Sequence, residues 1–135
     1  MRIEYATKFD YTYIAERDKH VWASLIEAKI EAGEIIMLRS EEGAAVGWVR
    51  YGYFWDNTPF MNMIWIDEPY RRSGLGRQAV LFWESAMKEK GFKLVMTSTQ
   101  ANEEAQHFYR TLGYKDAGCL LLDNEPLEIL LTKAL

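Results

Sequence analysis

Apolar and polar positions along this chain follow two periods, and the switches between them mark its elements. Met1 to Phe9 reads as a first strand. Val21, Trp22, Leu25, Ile26, Ala28 and Ala32 recur at helical spacing. A helix is therefore expected up to about Ala32, with Asp18 as its cap and Gly33 as its stop. Glu34 to Arg39 is short, apolar and β-branched, which predicts a strand. Ser40 to Gly43 reads as a turn, and Ala45 to Trp55 as the returning strand of that hairpin. Asp56-Asn57-Thr58-Pro59 predicts another turn, and Phe60 to Ile66 the next strand. A polar loop, Asp67 to Ser73, follows.

The second half is more regular. Leu75 to Lys90 predicts a helix, with Leu75, Ala79, Phe82 and Ala86 in one stripe that Val80, Trp83 and Met87 widen. Glu84 and Lys88 are expected as an i,i+4 pair on its wet side, and Gly91 ends it. Lys93 to Thr97 reads as a strand. Glu103 to Leu112 reads as a short helix, with Asn102 as cap and Gly113 as stop. Ala117 to Leu122 and Leu127 to Thr132 read as two closing strands. The order is strand, helix, three strands, helix, strand, helix, two strands: a mixed α/β arrangement. No repeat, linker or low-complexity run divides it, so residues 1–135 are expected to form one domain.

Composition narrows the class. A hydrophobic fraction of 49% and a charged fraction of 27% describe a globular chain able to bury a core. The net charge of -4 disfavours a phosphate-backbone partner and mildly favours cationic ones such as amines, so no nucleic acid is expected. Neither a signal-peptide pattern nor a bilayer-length apolar run is present, so a cytoplasmic protein with no membrane partner is expected. Cys119 is the single cysteine, so no internal disulfide forms; it reads as a small core residue in the apolar run before Leu120 to Leu122. His20 and His107 read as exposed helix residues without metal-ligand spacing, and no metal is expected. Trp48, Tyr51, Tyr53, Phe54, Trp55, Phe60 and Trp65 crowd into eighteen residues, either packing strands or lining an acceptor pocket.

The chemistry-bearing segment runs from Ile66 to Arg77, leaving a strand and entering a helix. A helix start carries unpaired N–H groups and a positive dipole end, so it holds anions. Gly74 and Gly76 let the backbone approach a ligand, and Arg71, Arg72 and Arg77 add donors suited to phosphate. The glycines also fit plain punctuation of a loop. Gly74-Leu75-Gly76-Arg77-Gln78-Ala79 fits the dinucleotide fingerprint too, but no acid ends the next strand, and several strands precede the loop. An ATPase phosphate loop lacks its G-K-[ST] here.

Arg71-Arg72-Ser73-Gly74-Leu75-Gly76 resembles motif A of the GNAT acetyltransferases, R/Q-x-x-G-x-G/A. Asn102 to Tyr114, with Ala105, Phe108, Tyr109, Leu112 and Gly113, resembles their motif B, N-x-x-A-x-x-F/L-Y-x-x-L-G-F/Y. The two motifs stand one helix and one strand apart, as in that family. The resemblance implies a central mixed, mostly antiparallel sheet of six to seven strands flanked by helices, splayed at the fourth and fifth strands. It implies an acyl-CoA N-acyltransferase that moves acetyl from acetyl-CoA to a primary amine by direct attack, through a tetrahedral intermediate.

The resemblance also implies roles. Arg71, Arg72, Ser73, Gly74, Leu75, Gly76 and Arg77 would hold the CoA phosphates. The backbone of Ile64, Trp65 and Ile66 and the side chain of Asn102 would hold the pantetheine arm. Tyr109 would protonate the CoA sulfur; read without the family, it is a packing residue beside Ala105, Phe108 and Leu112. Thr97 stands where many peptide N-terminal acetylators of the family carry a glutamate base, five residues before the motif B asparagine. The base is left open among Asp56, Asp67 and Glu34, a water chain, or an amine that arrives neutral. The acceptor is expected to be a small-molecule, peptide or protein amine, cationic ones included. The alternative is a CoA-binding sensor or partner module with little catalysis. A homodimer fits the family, with Leu127 to Thr132 as the strand to pair across it.

Overall fold

In the computed structural model, which describes residues 1–135, the chain runs β1 (Arg2–Tyr5), α1 (Tyr11–Arg17), α2 (Ala23–Glu31), β2 (Ile35–Arg39), β3 (Ala45–Phe54) and β4 (Thr58–Ile66). It continues α3 (Leu75–Glu89), β5 (Leu94–Gln100), α4 (Ala105–Thr111), β6 (Lys115–Leu120) and β7 (Glu128–Ala134). Short 3-10 turns at Lys8–Asp10 and Glu68–Tyr70 precede α1 and α3. The strands form one seven-stranded sheet in the order β1-β2-β3-β4-β5-β7-β6. β1–β2, β2–β3, β5–β7 and β6–β7 pair antiparallel, while β4 and β5 pair parallel at Phe60↔Met96 and Met61↔Thr97. This is the mixed, mostly antiparallel sheet flanked by helices that the sequence predicts.

The chain clusters into two compact units, residues 1–51 with 63–83, and residues 52–62 with 84–135. In the first unit both sheet faces are covered, and that explains why β2 and β3 read as mostly apolar runs, with Arg50 the charged exception inside β3. Met37 and Trp48 pair across β2 and β3, and with Ile35 they pack against Ile14 of α1 and Ile26 of α2. The next pair along, Ile36 and Val49, points to the other face by the period-two rule and is equally buried. On that face Tyr51 meets Trp83 of α3 at 6.0 Å, and Tyr5 meets Phe82 at 6.3 Å. Burying each such side chain contributes about 1.5–3 kcal/mol.

Gly47 is the tight point of this unit. A Cβ there would lie 2.4 Å from the carbonyl oxygen of Trp65 and 3.2 Å from Cα of Ile66. Only a glycine lets β3 lie so close to the end of β4, which is the usual meaning of a glycine inside a strand.

Several sequence expectations are corrected here. Helix formation starts at Tyr11, and a second helix starts at Ala23. Asp18 does not cap a helix start. It closes α1, accepting from the backbone N–H of His20 at 3.1 Å and from Arg50 Nε at 2.9 Å, in a buried ion pair. His20 is exposed in that connection and not on a helix. The expected α2 stripe is largely outside: Ile26 is buried, whereas Trp22 is 84% and Leu25 41% exposed. Pro59 falls inside β4, because the turn sits one residue earlier, with Trp55 and Asp56 at positive φ.

In the second unit, β5 runs three residues past Thr97 and pairs along its whole length with β7. Glu84 is not on the wet side of α3. It is buried, accepting from Tyr114 Oη at 2.9 Å and Lys133 Nζ at 2.8 Å. A charge can face inward there because two partners from distant sequence compensate it. Asn102 is exposed and caps nothing; Glu104 precedes α4 without a side-chain capping bond. Cys119 is exposed, because β6 is an edge strand with every residue accessible. β7 has a neighbour on each edge, so it has no free edge to pair across a dimer.

Candidate active site

The loop before α3 is built from backbone. After Ile66, Tyr70 N–H returns to the carbonyl of Asp67 at 2.9 Å, and the Ser73 hydroxyl donates to the carbonyl of Tyr70 at 2.7 Å. Arg72 and Gly74 both sit at positive φ, 62° and 84°, which turns the chain into the helix. Nothing lies within 4 Å of where a Cβ on Gly74 would be. Leu75 is buried and anchors the first turn, while Arg71, Arg72, Ser73, Gly74 and Arg77 are all exposed. The fifteen-residue α3 thus begins with open backbone and unneutralised guanidinium groups, the arrangement that takes an anion.

Arg71 has a second task. Its Nε donates to the carbonyl of Ile66 at 2.6 Å, and its guanidinium lies 4.9 Å from the Trp65 ring centre. It braces the end of β4 as well as offering its remaining donors outward. Trp65 itself turns inward, stacked on Trp48 at 5.9 Å and donating from Nε1 to Asp67 at 3.0 Å. Ile64 and Ile66 flank it on the strand, both partly buried.

The three carboxylates considered as bases have other commitments or lie open to solvent. Asp67 accepts from Trp65 and from Arg17 Nε at 3.2 Å. Glu34 pairs with Lys29 at 2.7 Å. Asp56 sits exposed at the tip of the β3–β4 turn.

In the second unit, Tyr109 lies on the inner side of α4 and is 5% exposed. Its hydroxyl points to Met61 Sδ at 4.0 Å, and its ring meets Phe108 at 5.3 Å and Tyr114 at 5.6 Å. Burial pushes the phenol above the ordinary tyrosine range; the charge of Glu103 adds to this, and Thr97 works against it. The group therefore keeps its proton at neutral pH. Thr97 donates its hydroxyl to the carbonyl of Met61 at 3.0 Å, stitching β5 to β4 at their paired position.

Two features, one in each unit, depend on partners far away in sequence. The Glu84–Tyr114–Lys133 cluster joins α3, β7 and the residue just before β6, with no spacing signal to announce it. Gly47 does carry one, a glycine inside an apolar strand run, though its partner Trp65 is eighteen residues on.

The model of the acetyltransferase (GNAT) family matches residues 2–114. No sequence among curated proteins matches significantly. Among solved structures, Ard1 from Thermoplasma volcanium is similar at a TM-score of 0.85 and 16% identity, covering 98% of this chain and 96% of that one. The ribosomal-protein-alanine N-acetyltransferase from Brucella melitensis is similar at 0.80 and 17%, covering 100% of both chains. A chain of the NatC complex bound to Gag peptide and CoA is similar at 0.80 and 13%, covering 100% of this chain and 99% of that one. At such identities the likeness shows the fold. Together with the family match over most of the length, and with the strand–loop–helix at Ile66 to Arg77, it has one reading: the chain belongs to the acetyltransferase (GNAT) family and is an acyl-CoA N-acyltransferase by class.

Proposed function

We propose that residues 1–135 act as one domain that transfers acetyl from acetyl-CoA to a primary amine of a small molecule, peptide or protein. The neutral amine attacks the thioester carbonyl, a C–N bond forms, and the C–S bond breaks as the tetrahedral intermediate collapses. Tyr109 gives its proton to the leaving thiolate, and the attacking nitrogen releases one to solvent or a base. The loop of Arg71, Arg72, Ser73, Gly74, Leu75, Gly76 and Arg77 holds the CoA phosphates. The backbone of Ile64, Trp65 and Ile66, with Asn102, holds the pantetheine arm. The observation that carries this reading is the exposed glycine–arginine turn into α3, in a chain the family model spans from residue 2 to 114.

The ion pairs of Asp67 and Glu34 bear on the acceptor. With those carboxylates engaged, the enzyme is best matched to an amine with an appreciable neutral fraction near pH 7. Peptide α-amines, with an ordinary pKa of about 8, meet that better than lysine at about 10.4. The test is acetyl-CoA consumption against an alanyl tripeptide, lysine, spermidine and kanamycin. The tripeptide is expected to turn over fastest. The same ion pairs favour a second reading, a CoA-binding module with little turnover; tight CoA binding without transfer to any of the four would establish it.

A further inference from the structure

Behind Tyr109 lies a largely buried polar cluster, with Lys133 at its partly exposed end, that the proposed chemistry does not use. Tyr114 is 3% exposed and meets the Tyr109 ring edge-on at 65°. Its backbone N–H also returns to the carbonyl of Tyr109 at 3.1 Å. The far end of Tyr114 is fixed as well: its hydroxyl donates to Glu84 Oε2 at 2.9 Å. The other oxygen of Glu84 takes Lys133 Nζ at 2.8 Å, and that ammonium stands 5.7 Å from the Tyr114 ring centre. Gly113, at φ 96°, makes the turn that delivers Tyr114, and the Lys133 stem lies at ordinary contact distance from it. One carboxylate thereby ties together α3, β7 and the residue that walls Tyr109.

Stability alone is a poor account of this arrangement. Buried ion pairs are commonly matched or exceeded by apolar residues of similar volume. What a fully bonded cluster supplies is a single geometry. A phenylalanine at position 114 would wall Tyr109 too, but free to slide. Proton donation to a leaving group is sensitive to such freedom, since a misplacement of about 1 Å costs on the order of 10²-fold.

We infer that Tyr114, held by Glu84 and Lys133, is a positioning residue that fixes the phenol of Tyr109 for acetyl transfer. The inference rests on the reading of Tyr109 as the proton donor. Its test is a double-mutant cycle of Y114F and Y109F, with acetyl-CoA and whichever of the four named amines turns over fastest. Y114F is expected to lower kcat by about 5- to 30-fold, within the scale of such misplacement, and to leave KM for acetyl-CoA within about twofold, as expected of an effect confined to the transition state. In the Y109F background, Y114F is expected to add nothing. Equal losses in both backgrounds, or a loss confined to KM, would overturn the inference and leave Tyr114 a packing residue. A Y109F protein with normal kcat would instead remove the proton-donor reading itself, a result separate from the cycle. Should Y114F fail to fold, K133M serves in its place. It keeps a long apolar stem and cuts one bond to Glu84, and a kcat loss in the wild-type background that vanishes with Y109F is the expected result.

Discussion

Arg71 to Gly74 lie exposed, shaped by two positive φ angles and a handful of backbone bonds, whereas Tyr109 is buried against three residues from outside its own helix. The first region is local: neighbours in sequence make the turn, and a helix start supplies the field. The second is tertiary: Met61 comes from β4, Thr97 from β5, and Tyr114 from beyond α4. An anion needs donors and room, which a loop can give. A proton donor needs a fixed position and a dry setting, which only packing gives. Under the proposed function the two regions are therefore expected to respond to substitution in different ways, binding for the loop and rate for the tyrosine.

The largest effect is expected at Gly76. Gly76→Glu puts a carboxylate in the first turn of α3, where the proposed site takes phosphate. CoA binding should fall below detection by calorimetry while the thermal transition stays cooperative. Normal CoA affinity in folded protein would end the assignment of this loop.

Smaller losses sharpen the comparison. Arg72→Ala and Arg77→Ala should each weaken CoA by about 1.5–3 kcal/mol if the contacts are charge-assisted, and less at high salt, where exposed charges are screened. Titration of CoA at two ionic strengths checks both statements; unchanged affinity in both variants would leave the work to the backbone amides. Gly47→Ala acts on stability instead. Its Cβ would press on the Trp65 carbonyl, and overpacking of this kind costs about 1–3 kcal/mol. Gly74→Ala meets no atom within 4 Å and should cost only about 1–2 kcal/mol for its left-handed backbone. Urea unfolding of the two alanine variants should rank them in that order.

How legible each region was follows from the same contrast. Motif A could be read because loop chemistry is written in consecutive residues: two glycines, three arginines and the apolar onset of α3. All seven strands could be placed, because period and turn residues are local signals. Glu84 could not. Its i,i+4 spacing to Lys88 suggested a solvated pair, and the partners that compensate it stand thirty and forty-nine residues away. Asp18 misled for a related reason. It has the chemistry of a helix cap, but the buried Arg50 guanidinium, thirty-two residues on, claims its carboxylate. Cys119 reads as core, yet it sits on an edge strand, and edge position is set by topology. Residues of α1 gave no apolar stripe, since only Ile14 of that helix is buried.

The central claim is that Tyr109 acts in the transition state and not in binding or packing alone. Tyr109→Phe keeps the ring that meets Phe108 and Tyr114 and removes only the hydroxyl. The decisive measurement is kcat for acetyl transfer at saturating acetyl-CoA, taken beside CoA affinity and thermal stability of the same preparation. The account predicts a fall in kcat of about 10²–10⁴-fold, the usual scale for lost general acid catalysis, with CoA affinity nearly unchanged. A fall of less than about threefold, far below that scale, would contradict it and return Tyr109 to the packing of α4.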